Sequence, residues 1–123
     1  MINGIQDVYV NVADMQRAIA FYTDLLGCSV LYQDEHWCSL DAHGLKIGLH
    51  WTGGDAVPAV PFDEHGPHAG ATITFRSDDV ATDKAMLQNQ GVEIVGEIDE
   101  SFGHLVIFRD PDGNFLKLMR QKY

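Results

Sequence analysis

The feature that most constrains this chain is that its pattern is written twice. Asp14 and Asp79 stand 65 residues apart, as do Phe21 and Met86. Gly27 and Gly91 stand 64 apart, and Gly44 with Gly113, like Leu49 with Leu118, stand 69 apart. The offset drifts only where turn residues cluster, so each half carries the same succession of elements. In the first half Ile5 to Val12 alternates like a half-buried strand, with Val8, Val10 and Val12 on one face. Asp14 is a good N-cap for a helix on which Met15, Ala18, Ile19, Tyr22, Leu25 and Leu26 recur, and Gly27 supplies a left-handed end. Three strands follow, Val30 to Gln33, Trp37 to Leu40 and Leu45 to Trp51.

The second half restarts at Ala71 to Arg76. Asp78-Asp79 offers the cap, a helix runs to Gln90, and Gly91 ends it. Lys84 interrupts its apolar face, so that helix is inferred mainly from its ends. Val92 to Val95, Leu105 to Phe108 and Phe115 to Met119 complete the set, with a tight turn at Asp110-Pro111-Asp112-Gly113. Between the halves, residues 52–68 are rich in turn formers and have no period, which reads as a connecting loop. The expected architecture is α+β: two βαβββ modules, 5–51 and 69–121, within one domain spanning 1–123.

Charge narrows the choice of partners. Eight Lys and Arg against 18 Asp and Glu give −10, which argues against nucleic acid because phosphate binding needs a basic face. Hydrophobic residues at 46% support a packed core, and no apolar run approaches the roughly 18 to 20 residues that cross a bilayer. Met1-Ile2-Asn3-Gly4 lacks the basic-then-apolar pattern of a signal peptide, so a cytoplasmic location is expected, with Cys28 and Cys38 as reduced thiols.

Two segments carry a resemblance. Val10-Asn11-Val12-Ala13-Asp14-Met15, continued by Ala20-Phe21-Tyr22-Thr23-Asp24-Leu25-Leu26-Gly27, resembles the first-module signature of the vicinal oxygen chelate superfamily, which holds glyoxalase I, bleomycin-resistance proteins and extradiol dioxygenases. Phe108-Arg109-Asp110-Pro111-Asp112-Gly113-Asn114 resembles its second-module signature. The resemblance implies eight strands in curled mixed sheets around a cavity, a homodimer, and a small-molecule ligand, while leaving the chemistry open because one scaffold serves many reactions.

Strand parity sorts the side chains of those sheets. Leu45, Ile47 and Leu49, Ile73 and Phe75, and Leu116 and Leu118 join the valines on faces that pack under helices. The opposite faces carry Asp7, Tyr9 and Asn11, then Gly48 and His50, then Thr72, Thr74 and Arg76, then Phe115, Lys117 and Met119. Trp37 and Ser39 are expected to join them from the third strand, and His104, Val106 and Phe108 from the seventh. Aromatic area with a few polar groups suits a small organic ligand.

In metal-dependent relatives four side chains, His, Gln or Glu, meet at the cavity centre. The resemblance places those positions at Asp7, Gly48, Thr72 and Lys117. Glycine has no donor, threonine is a poor one, and an ammonium repels a divalent ion, so neither a metal nor another cofactor is expected. Asp7 and Lys117 are expected instead to approach as an ion pair, which would be costly to desolvate. A shifted metal arrangement on His50, His104 and Asp7 stays open.

His65-Gly-Pro-His68 and His43 read as surface residues, and no nucleophile context surrounds Ser39, Ser101 or Cys38. Three readings follow. The first is a metal-independent binder that sequesters a toxic or cationic small molecule, as bleomycin-resistance proteins do. The second is a lyase, isomerase or dioxygenase, with His50, Tyr9, Asp7 and Lys117 as candidate acid-base groups. The third is an accessory dimer with a vestigial cavity.

Overall fold

The computed structural model describes residues 1–123. They form two compact units, Met1–Pro58 and Ala59–Tyr123.

In the first unit β1 (Val8–Val12) leads into α1 (Met15–Ala20), a π-helical turn (Phe21–Leu25), and β2 (Ser29–Gln33), β3 (Trp37–Ala42) and β4 (Leu45–Trp51). Asp14 caps α1 as expected, accepting the Arg17 N–H at 3.1 Å. The expected single helix to Leu26 is instead α-helical only to Ala20 and then widens into the π turn. There the Thr23 hydroxyl donates to the Ile19 carbonyl at 2.7 Å, a side-chain bond that competes with the regular ladder. Gly27 closes the segment at φ +73°, a conformation that favours glycine.

The sheet order is β1-β4-β3-β2, with β1 and β4 parallel and the other pairs antiparallel. Cross-strand partners share a face, so Cys38, Leu40, Ile47 and Leu49 form one side with Val12. All five are fully buried, together with Ala18 and Tyr22 of the helical segment. Burying these side chains is the main favourable term in the unit, at about 1.5 to 3 kcal/mol for each large one. β1 starts at Val8, so Ile5 to Asp7, expected within the strand, precede it, and Ile5 is exposed.

The second unit opens with a feature the sequence did not announce. The expected loop contains a small hairpin of β5 (Phe62–Asp63) and β6 (Gly66–Pro67). It continues with β7 (Ile73–Arg76), α2 (Val80–Asn89), β8 (Ile94–Glu100), β9 (Gly103–Arg109) and β10 (Phe115–Gln121), in the order β7-β10-β9-β8. Again the first strand pairs in parallel with the last. Asp79 caps α2 through the Thr82 N–H, and Gly91 takes φ +83°. Thr72 lies just before β7 rather than in it. The Asp110 turn is tightly made: its buried carboxylate accepts the N–H groups of Asp112 and Asn114 and the Asn114 amide, each at 2.9 Å. No helix is long and apolar enough to cross a membrane.

Candidate functional site

On the first unit, the face of the sheet turned away from α1 carries Tyr9, Asn11, Trp37, Ser39, Gly48 and His50, joined in register as Tyr9 to Gly48, Asn11 to His50, Trp37 to His50 and Ser39 to Gly48. Its centre is set by one glycine. A Cβ on Gly48 would lie 2.2 Å and 2.4 Å from two atoms of the Trp37 benzo ring, so the indole rests on bare backbone. The Trp37 Nε1–H donates to the Ser39 Oγ at 2.8 Å, which fixes the ring along its own strand. Tyr9 meets the indole edge-on at 5.7 Å, and the His50 ring lies 5.8 Å from Tyr9 and 6.4 Å from Trp37. His50 Nδ1 is 3.2 Å from Asn11 Oδ1. Tyr9 is 55% exposed and His50 is exposed, so this aromatic platform presents area that a flat ligand can cover.

Asp34 was legible only as turn chemistry, yet it positions the platform. Its Oδ1 accepts the backbone N–H groups of His36 and Trp37, each at 2.8 Å, and its Oδ2 accepts the Tyr32 hydroxyl at 2.9 Å. These bonds, the His36 N–H first, hold its carboxyl below the usual aspartate range, and they anchor the residue from which the indole springs. Trp51 belongs to the other face. It pairs in register with Val12, and its Nε1–H donates to the Ala13 carbonyl at 3.1 Å.

On the second unit, the register of β10 with its neighbours gathers Thr74, Arg76, Phe115, Lys117 and Met119 on one face, as parity predicts. The β9 assignment needs correction. Phe108 pairs with Leu116, Val106 with Leu118, and His104 with Arg120, so these three share the helix side. Phe108 is fully buried there. His104 Nε2 lies 2.7 Å from Glu97 Oε2, while Lys84 of α2 reaches Glu97 Oε1 at 2.6 Å. That pairing explains the lysine on the apolar side of α2, and it holds the Glu97 carboxyl low, through Lys84 first and His104 second.

The residues that replace them on the Lys117 face are Leu105, Ile107 and Arg109. Leu105, Ile107 and Phe115 form a buried apolar cluster against which Val60, Val95 and Met119 pack. Thus the expected polar wall is partly greasy, and the segment leading into the β5–β6 hairpin lies against it. Asp7, immediately before β1, and Lys117, mid-way along β10, stand in different units.

The four positions at which metal-dependent relatives hold an ion do not suit one here. At Gly48 the place of a ligating side chain is taken by the Trp37 ring, and Lys117 brings a cation. The shifted arrangement on His50, His104 and Asp7 loses His104, which faces the helix side and is engaged with Glu97.

Comparison with known proteins agrees with this architecture. The family model described as the Glyoxalase/Bleomycin resistance protein/Dioxygenase superfamily matches residues 4–118. The chain is 26% identical over 124 residues to YetH, an uncharacterized protein of Bacillus subtilis (strain 168), covering 96% of this chain and 98% of that one. Among solved structures it superposes on the fosfomycin resistance protein FosX of Listeria monocytogenes, in complex with Mn(II) and sulfate ion, with a TM-score of 0.80. That match has 20% identity and covers 98% of this chain and 92% of that one. It also superposes on TnmS3, an antibiotic binding protein from Streptomyces sp. CB03234, with a TM-score of 0.69 and 28% identity over 98% of this chain and 97% of that one.

Proposed function

Because the chain belongs to the glyoxalase/bleomycin resistance protein/dioxygenase superfamily, we propose that it binds a small aromatic molecule without a metal ion and protects by sequestering it. The observation that carries this reading is the Trp37 indole lying over Gly48, edged by Tyr9 and His50. Rings held this way lose little freedom when a flat guest stacks on them, so little ordering cost opposes binding. The likeness to an antibiotic binding protein supports the same reading. A net charge of −10 favours a cationic guest at long range, and a cation over Tyr9 or Trp37 gains a further attraction. A cytoplasmic homodimer belongs to this reading. The free, buried Cys28 and Cys38 support a reducing compartment, and the exposed Val30, Leu31 and Tyr32 on edge strand β2 support self-association.

A second reading, acid-base catalysis, draws support from His50. With Asn11 Oδ1 accepting from Nδ1, the ring presents its Nε2 lone pair outward as a base. Tyr9, Asp7 and Lys117 are then the partner candidates.

Tryptophan fluorescence tests the binding reading. The chain has two tryptophans, on opposite faces of one sheet, so Trp51→Phe isolates the Trp37 signal. Cationic aromatic compounds are expected to quench that signal saturably with EDTA present and to lose about tenfold in affinity in Tyr9→Ala. Quenching that requires added metal would sink the metal-free reading, and turnover abolished by His50→Gln would transfer the case to the enzyme.

A further inference from the structure

The hairpin of the second unit holds one of its own aromatic rings as a guest. Phe62, the first residue of β5, stacks on Phe115 with ring centroids 5.3 Å apart and planes 12° from parallel, and it remains 40% exposed. Such a parallel stack is what a flat ligand would make. The Arg109 guanidinium carbon lies 4.8 Å from the same Phe115 ring.

The charge of this face is opposite to that of the chain. Arg76, Lys117 and Arg109 stand on it, and against these three cations the four strands place one carboxylate there, Glu100 at the end of β8 opposite Gly103. The other lysine and arginine pairs of the unit join Lys84 to Glu97, Lys122 to Asp99 and, at 3.9 Å, Arg109 to Glu93. Arg76 and Lys117 take part in no ion pair. Lys117 is half-buried and shares a face with Phe115, two residues away along β10. In a chain of net charge −10, two cations left without carboxylate partners beside an apolar cluster form a local receptor for negative charge.

We propose that the face built by β7, β10 and β9 binds an aromatic anion, whose ring displaces Phe62 from Phe115 and whose acid group is received by Lys117 and Arg76. This goes beyond the Trp37 platform and rests on separate observations. The occupant is a small carboxylate or sulfonate carrying a planar ring. Val60 and Phe62 act as a built-in competitor that shields the apolar cluster until the guest arrives.

Two dyes with the same rings test it: 8-anilinonaphthalene-1-sulfonate, and N-phenyl-1-naphthylamine, which lacks the sulfonate. The full chain is expected to bind the sulfonate about tenfold more tightly than its uncharged twin. Lys117→Met is expected to remove most of that preference while leaving the uncharged dye within about twofold, and Arg76→Gln, on an exposed position, to act in the same direction. Phe62→Ala, checked for an unchanged circular dichroism spectrum, should tighten both dyes about fivefold by vacating the ring position. Equal affinities for the two dyes, or no response to Phe62→Ala, would overturn the proposal. So would sedimentation showing that Phe62→Ala associates further than the parent chain without binding dye, because the face would then belong to a second copy. Since the Trp37 signal reads the other unit, failure here and failure of the platform are separable.

Discussion

Gly48→Ala isolates the contact on which the platform depends. The added methyl would sit 2.2 Å from the nearest Trp37 ring atom, far inside van der Waals contact, so the indole must swing off the strand. Overpacking of this kind costs about 1 to 3 kcal/mol. If the ring moves instead, it gives up its hydrogen bond to Ser39, worth about 1 kcal/mol, and its edge contact with Tyr9, worth about 0.5 to 1.5 kcal/mol. Alanine returns about 0.5 to 1 kcal/mol over glycine in a strand. The expected net loss is therefore about 1 to 2 kcal/mol, read from the urea midpoint at unchanged slope. The decisive arm is the same substitution in Trp37→Ala, where the ring is gone and Gly48→Ala should become neutral or stabilising. A coupling energy near zero in this cycle would refute the packing argument, because residues in direct contact ought to couple by at least about 0.5 kcal/mol.

Two further outcomes follow from the thiols and from the Glu97 cluster. Burial first and the neighbouring Asp41 second push the Cys28 thiol up to about 11, and burial raises that of Cys38, which is fully buried. Native protein at pH 8 should thus react with neither, as a chromogenic disulfide reagent would show, whereas both titrate rapidly in denaturant. The lowered Glu97 carboxyl favours the folded state above the ordinary glutamate pKa, and this contribution drains away as pH falls through the lowered folded value. Glu97→Gln should flatten the acid limb of a stability-against-pH curve, and the same limb in Lys84→Met should flatten by a similar amount. An unchanged limb in both would show that the cluster is fully screened by solvent.

Much of the scaffold could be read because repetition and capping are local signals. Asp14, Asp79, Gly27 and Gly91 each declare an end of a helical segment by chemistry confined to a few neighbouring residues. Parity succeeded on β1 and β4, where one face is apolar and the other is not, and on β10, where Lys117 marks the second face. It fails on β9, because Leu105-Val106-Ile107-Phe108 is apolar on both faces and offers no phase, so the expectation that His104 faces a ligand gives way to its contact with Glu97. The β5–β6 hairpin escaped notice because two-residue strands carry no period. At Gly48 the missing donor was visible, but its reason was not. That reason is a ring arriving from the adjacent strand, which no spacing along the chain encodes.

The embrace of Gly48 by Trp37 also bears on descent. A histidine or glutamate entering at 48 collides with the indole, and loss of the indole alone leaves a gap on the sheet, so neither first step toward an ion cage is neutral. While this pair stands, a metal-ligating side chain at position 48 requires two coordinated substitutions and not one.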